Sequence, residues 1–540
     1  MRSTSILLLS AFLLIGRSTS AQTKTDRTQV QWGDARNDKE HGEFRSVIHR
    51  TDDHIFVRVL RKDEMWIQVF SKDLRMLGER EVLLKLGKME HVLDSILVQG
   101  DRTYVFSSVY DKREVTSTLY VRIYSGTDLA PQGALKKVHS ASVVTRSLFL
   151  MKMLDVEVHD FMVSNRANSD GFQVRENAVG SRQDRTTRRI LLFNEDLILE
   201  DEVFEEVKLY QTPFASDEFY PEATVYPEDG SKVVVGRKYP EKHEKDKLKR
   251  QGKPIYEMVL LVYGPEGQMP EVSTIPSGDR FLQDITMRML DTGDIICVGF
   301  WGDKGSWKVR GAFFMRLDGD NMEVLHESFS QFDDGFITQY MNEKQAEGSG
   351  KKGDEIEWLE CDLIGTVIRD DGGVFIIAEQ YRIRVELKSH ETASGSLTSS
   401  RTVHYYDNDI LVINIDLKGD MEWATKIPKC QYTKNADRRY SSYVLNVKND
   451  NMYFVFNDNG QNLGLRAGDK VHQFDVLSKG AMITLATVDG DGKVHREAVL
   501  APDQSAAILS PQECFQLEHD RVFINAKRKD EYRYGIVTFD

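Results

Sequence analysis

Two different turn signals alternate along this chain, and that alternation limits the fold more than any composition can. The first is a short Asp/Gly/Asn-rich turn between two apolar runs. It occurs eight times: RTDDHIFVRV at 50–59, VQGDRTYVFSS at 98–108, NSDGFQV at 168–174, PEDGSKVVVG at 227–236, LDTGDIICVG at 290–299, RDDGGVFIIAE at 369–379, KNDNMYFVF at 448–456 and LEHDRVFINA at 517–526. Between successive copies lies the second, an apolar run broken by a tight turn: WIQVFSKDL, YVRIYSGTDL, ILLFNEDL, VLLVYGPEG, FFMRLDGDN, LVINIDLKGD and ITLATVDGDGK. The clearest copy runs from His404 to Lys429. Ile410, Val412, Ile413 and Ile415 form a strand read as buried on both faces, Leu417 to Asp420 breaks it, and Met421 to Ile427 starts the next run around Trp423.

Each unit is therefore strand, tight turn, strand, loop, strand, tight turn, strand. A four-stranded antiparallel unit cannot bury both faces alone, and radial packing of such units gives a β-propeller. After the eighth turn, YGIVTFD (534–540) supplies a strand and the chain ends before its partner. Thr28 to Gly33, TQVQWG, is strand-like and precedes the first full unit, so it is expected to complete the last blade and close the ring. The reading is one all-β propeller domain over 22–540 with eight blades. Seven is the alternative, should the weakly patterned stretch 141–157 disguise another partition.

Residues 1–21 read as a signal peptide: Arg2, an apolar core from Ile6 to Ile15, and small residues Thr19 and Ala21 before the expected cleavage site. That core has roughly half of the about 20 apolar residues a spanning helix needs. No later stretch is apolar enough to span, so a periplasmic or extracellular protein without a membrane span is expected. The net charge of −14 disfavours nucleic acid as a partner, and a monomer is expected. Cys297, Cys361, Cys430 and Cys514 lie far apart, in no zinc-like spacing, and stand open between disulfides and buried thiols.

Insertions at 175–188, 241–254, 341–356, 388–402 and 457–479 all fall in loops that emerge on one face of a propeller. That face is expected to do the binding, since loops carry function where a scaffold holds them. The most site-like polar grouping there comes from the sixth and seventh units: Glu379 and Tyr381 ending one strand, Tyr406 and Asp407 beginning the next, and Asp458 ending a third. Tyr, Asp and Glu together suit hydrogen bonding and stacking with a sugar or peptide in a groove between the two units.

Other motifs dissolve on inspection. The Asp318 to Asn321 and Asp489 to Gly492 turns lack the later ligands of a calcium loop. The stretch 348–353, GSGKKG, has Gln345 where a phosphate loop requires glycine. HExxH and GxSxG are absent, so no metal and no cofactor is expected. With 85 acidic residues, some carboxylate pair is always available, and catalytic residues cannot be assigned.

The hairpins GGVFIIAEQY (372–381), NDILVINID (408–416) and EWATKIPK (422–429), with VQWG (30–33), resemble secreted β-propeller repeat proteins of Bacteroidota-type bacteria. The resemblance implies fold and export and carries over no catalytic residue; WD40 and kelch signatures are missing. The functional expectation is a non-catalytic binding scaffold engaging a protein or a glycan through its long-loop face. The alternative is an exported glycosidase, lyase or peptidase with its centre at the axial end of the ring.

Overall fold

The computed structural model describes residues 21–540 apart from 143–159, 177–186, 337–360, 392–396, 500–507 and a few breaks of three residues or fewer. The expected signal peptide, save Ala21, the ambiguous stretch 143–157 and the insertion at 341–356 lie outside the described residues.

Among the described residues, eight sheets contain a four-stranded antiparallel ladder. They are numbered here in chain order: sheet 1 spans 43–81, sheet 2 92–142, sheet 3 161–206, sheet 4 219–274, sheet 5 280–331, sheet 6 361–427 and sheet 7 443–499. Sheet 8 combines 515–539 with Thr28–Trp32 from the other end of the chain. Every turn of the first kind joins first to second strand, and every turn of the second kind joins third to fourth. The closing strand behaves as its pattern demands: Thr28 pairs with Phe539 and Trp32 with Gly535. Trp32, Val30 and Val537 are buried there. The fold is a β-propeller.

Second and third strands carry the core because they are covered on both faces. In sheet 6, Val374 to Ala378 and Ile410 to Ile413 are at most 2% exposed. Burial of each such side chain contributes about 1.5–3 kcal/mol. Neighbouring sheets interleave these side chains in successive apolar clusters, from sheet 1 against 2 round to 7 against 8 and 8 against 1. Sheets 3 and 4 are the exception: among the described residues they share no such cluster.

The third-to-fourth turns repeat one device. The turn closes by a backbone hydrogen bond three residues apart, Ser71 to Leu74, Asn194 to Leu197, Asp416 to Gly419 and Asp489 to Gly492. The donor residue takes a left-handed conformation. Glycine does so freely at 419 (φ 79°) and 492 (φ 78°). Leu74 (φ 60°) and Leu129 (φ 53°) do not, at a cost of roughly 1–2 kcal/mol; both are buried, which offsets it. Asp318 and Asp489 spend their carboxylates on backbone N–H groups of these turns, consistent with turns and not ion loops.

The opposite side carries the elaborations. Helices at Asp38–His41 and Lys242–Arg250 and 3-10 turns at Asn435–Tyr440, Gly460–Asn462 and Pro511–Glu513 all lie in second-to-third or sheet-to-sheet connections. One expectation needs correcting. The insertion at 388–402, read as a loop, is mostly strand: sheet 6 extends Val374–Glu391 and Leu397–Ile415 into one long hairpin, paired from Val374–Ile415 out to Glu391–Leu397. Its outer half, from Tyr381 and Asp407 outward, runs beyond the described part of the first strand, Cys361–Ile368, as an arm. The short strand Gln431–Lys434 pairs alongside its base.

Candidate functional site

The base of the arm is where the sequence placed a groove lined by Glu379, Tyr381, Tyr406, Asp407 and Asp458. The structure brings Glu379, Tyr381 and Asp407 together, puts Tyr406 on the opposite face of the arm, and places Asp458 in a separate network. It also buries the three carboxylates that the sequence reading set at the surface: Glu379 is 3% exposed, and Asp407 and Asp458 not at all.

Glu379 ends the apolar run of its strand, and its carboxylate meets the buried ammonium of Lys429 at 2.5 Å. Lys429 Nζ also donates to the Asp407 carbonyl (2.9 Å) and to Gln431 Oε1 (3.0 Å), so all three of its donors are used. Ser442 Oγ donates to the other Glu379 oxygen at 2.8 Å. Gln431 continues the chain, its Nε2 donating to the Asn457 carbonyl at 2.8 Å. Asn457 in turn donates to the carbonyls of Tyr440 and Leu509 and accepts from the Leu509 amide. A continuous polar latch thus ties sheets 6, 7 and 8 together on the elaborated side. The side chains of Glu379, Lys429, Gln431 and Asn457 are all satisfied in it, the condition under which a buried network adds rigidity.

Asp458 is held by Arg496 Nη2 at 2.5 Å, by Asn462 Nδ2 at 2.7 Å and by the Asn459 amide at 2.8 Å. Burial pushes its carboxyl above the usual range, against the pull of Arg496. Asp407 is different. Neither of its oxygens has a hydrogen-bond partner among the described residues, and Arg438 Nη2 stands 3.8 Å away. Burial raises its carboxyl too, with Lys429 opposing the rise and Glu379 adding to it.

The tyrosines frame this layer. Arg438 lies over the rings of Tyr381 and Tyr405, at 4.6 and 5.3 Å, closing the Asp407 side. On the other face Tyr406 packs on Tyr432 with ring centroids 5.0 Å apart, and Tyr432 OH meets His404 Nδ1 at 2.7 Å. Lys429, Gln431, Arg438, Ser442 and Arg496 are the partners that the sequence reading missed. Lys429 and Gln431 follow directly on a strand that was recognised, which is the one trace they leave in the sequence.

Beyond this layer the arm is open to solvent. Ile383, Val385 and Leu387 are 49%, 47% and 71% exposed, and Arg382, Arg384, Arg401 and Lys434 are exposed around them. Among the described residues, the thiols of Cys297, Cys430 and Cys514 are free, with burial pushing Cys297 up to about 12 and Cys430 up to about 11. One loose group of metal-type ligands exists there, Asp26, His495 and Glu497 between the closing strand and sheet 7; the two Glu497 oxygens already accept from Thr25 and from the Asp26 amide. No described helix is long and apolar enough to cross a membrane.

No family model and no curated protein matches the chain. Solved structures similar to it include a quinohemoprotein alcohol dehydrogenase from Comamonas testosteroni, at 8% identity over 94% of this chain and 76% of that one, with a TM-score of 0.33. An ulvan lyase from a new polysaccharide lyase family matches at 8% identity, 81% and 90% coverage and a TM-score of 0.27. An α-L-arabinofuranosidase from Clostridium thermocellum matches at 11% identity, 75% and 92% coverage and a TM-score of 0.22. At such scores the likeness carries nothing about this chain's chemistry, and the fold rests on the sheet topology itself.

Proposed function

We propose that this chain is an exported, non-catalytic binding scaffold that holds a protein or a glycan on its elaborated face, with the arm of sheet 6 as the contact element. One observation carries the reading: the carboxylates at the base of the arm, Glu379 and Asp407, are buried, Glu379 in an ion pair with Lys429, whereas the arm above them exposes apolar and cationic side chains. A substrate could reach Glu379 or Asp407 only by opening the buried network, and breaking such a network costs several kcal/mol. The latch holds a platform; the arm offers the surface.

The test shortens the arm by replacing 384–404 with a two-residue Asn-Gly turn between the paired Ile383 and Tyr405. Wild type and shortened chain are then compared on peptide and glycan arrays, with thermal melting as the control for the fold. Loss of the wild-type hits by a chain that still melts cooperatively supports the reading; equal binding by both contradicts it. Export is checked separately by intact mass, which is expected to show an N-terminus at Gln22.

A further inference from the structure

Away from the arm, where sheets 4 and 5 meet on the elaborated side, aromatic rings form an unbroken row. Tyr220 is at the start of the first strand of sheet 4, Tyr239 follows its second strand and Tyr256 precedes its third; Phe281 is at the start of sheet 5, and Trp307 lies between that sheet's second and third strands. Tyr220 meets Tyr239 at 5.3 Å between ring centroids, Tyr239 meets Tyr256 at 5.7 Å, and Tyr256 meets Phe281 and Trp307 at 5.1 and 5.7 Å. Phe281 is buried, whereas the two ends of the row are open: Tyr220 is 48% and Trp307 38% exposed. Aromatic surface left in water at both ends of a packed row is surface for a stacking ligand to cover.

Polar groups are fixed beside the rings by one device used twice. In sheet 4 the pairing of first and second strands slips between Pro221 and Ala223, which makes Glu222 the extra residue of a bulge; in sheet 5 it slips between Leu282 and Ile285, where Asp284 stands. A glycine lies opposite each bulge and lets the strands close in. A Cβ on Gly236 would fall 2.5 Å from the Tyr220 carbonyl oxygen, and one on Gly299 would collide with that of Asp284. Bulges re-aim side chains, and these two bring their carboxylates to one guanidinium: Arg237 Nε is 2.7 Å from Glu222, and Arg237 Nη2 donates to Asp284 at 2.6 Å. Arg237 lies over the Tyr256 ring at 4.8 Å, and Tyr256 OH donates to the Gln283 carbonyl at 2.8 Å. A second cation, Lys245 of the helix Lys242–Arg250, stands over Tyr239 at 4.2 Å.

We infer that this row is a second binding site, which stacks the neutral sugar rings of an oligosaccharide on Tyr220 and Trp307 and takes their hydroxyl groups on Glu222 and Asp284. Apolar ring faces with a few oriented polar groups are the ordinary make-up of a small-ligand site. The polar groups decide the ligand. Carboxylates accept, so the ligand must donate, and a sugar ring carries hydroxyl donors around an apolar C–H face. A proline-rich segment also docks on aromatic rows, but it offers carbonyl oxygens and few N–H groups. Charge disfavours an acidic glycan: two carboxylates stand against two cations at the row, so a uronate or a sulfate gains no net attraction there. The site is separate from the arm and stands whether or not the arm binds a partner.

The probes are cellohexaose, mannohexaose and xylohexaose, titrated calorimetrically into the full-length mature chain, with polygalacturonate and decaproline alongside. Expected is binding of at least one neutral hexaose that does not change with salt and weakens about tenfold or more in Tyr220→Ala and in Trp307→Ala. Trp307→Phe is expected to keep part of the binding, Glu222→Gln to weaken it, and the chain with the shortened arm to bind as wild type does. Thermal melting checks the fold of each variant; if Trp307→Ala does not melt cooperatively, Tyr220→Ala and Trp307→Phe carry the test. Binding of none of the three hexaoses, hexaose binding that Tyr220→Ala and Trp307→Phe leave unchanged, or binding of polygalacturonate or decaproline alone overturns the inference. So does hexaose binding lost only when the arm is shortened, which would place the glycan on the arm instead.

Discussion

Sheets 6, 7 and 8 meet across interfaces that are apolar inside and polar-latched outside, while sheets 3 and 4, on the far side of the ring, face each other with neither among the described residues. Sheet 3 packs its buried side chains against sheet 2. Its outer strand leaves Val203 and Phe204 41% and 64% exposed, and sheet 4 and the turn after its first strand leave Tyr220 and Tyr226 48% and 62% exposed. The sheet 4 side chains Val234, Leu261 and Tyr263 are covered by Tyr210 and Phe214 of the connecting segment instead. A ring closed by strand exchange has no free ends, but its stability is not spread evenly. The buried ion pairs Glu379–Lys429 and Asp458–Arg496 sit in sheets 6 and 7.

Breaking the latch is expected to show the contrast most strongly. Lys429→Met leaves Glu379 buried without its counter-charge and should cost about 3–5 kcal/mol, as should Arg496→Met for Asp458. Chemical denaturation measures both, and Lys429→Met/Glu379→Gln is expected to regain part of the loss. A cost under about 0.5 kcal/mol for either single variant would show that the buried pair is not structural. Next in size, deleting Thr28 to Gly33 exposes the edge of Glu531–Phe539 and should lower the melting temperature; an unchanged midpoint would mean that this strand does not close the ring.

The pH dependence sharpens the contrast inside the latch itself. Asp407 has a folded pKa above its unfolded one, so its contribution favours the fold below the ordinary carboxylate range and is lost as pH rises through the raised value. Asp407→Asn cannot ionise. Its stability relative to wild type should therefore rise as the pH climbs from about 4, the ordinary range of an aspartate, to about 7. Chemical denaturation across that range reads the difference, and a pH-independent one would mean that Asp407 titrates normally. The smallest effect belongs to the open side: Phe204→Ser should change stability by less than about 0.5 kcal/mol, and a larger loss would reveal packing between sheets 3 and 4.

What the sequence made legible was whatever depends on local pattern. Turn chemistry and apolar runs located the strands, and the unpaired Tyr534 to Phe539 strand pointed to Thr28 to Trp32 at the other end of the chain. The arm was read as a loop because ETASGSLTSS, 391–400, has the composition of one, although a hairpin held by its neighbours tolerates weak strand formers. The candidate site was legible as a cluster but not in its burial. Glu379 and Asp458 look like surface groups because a sequence shows a charge without its partner, and those partners lie 50 and 38 residues away. Lysines such as Lys429 are rarely buried unless paired, so no local pattern announces one.

Native-state hydrogen exchange tests the uneven ring most directly. The amides of Leu509 and Ser442 are bonded to the side chains of Asn457 and Gln431 within the latch. They are predicted to exchange only through global unfolding, whereas amides of the outer strand of sheet 3, Leu199–Glu206, exchange orders of magnitude faster through local opening. Equal protection on the two sides, or faster exchange in the latch, would contradict a rigid platform beneath the arm.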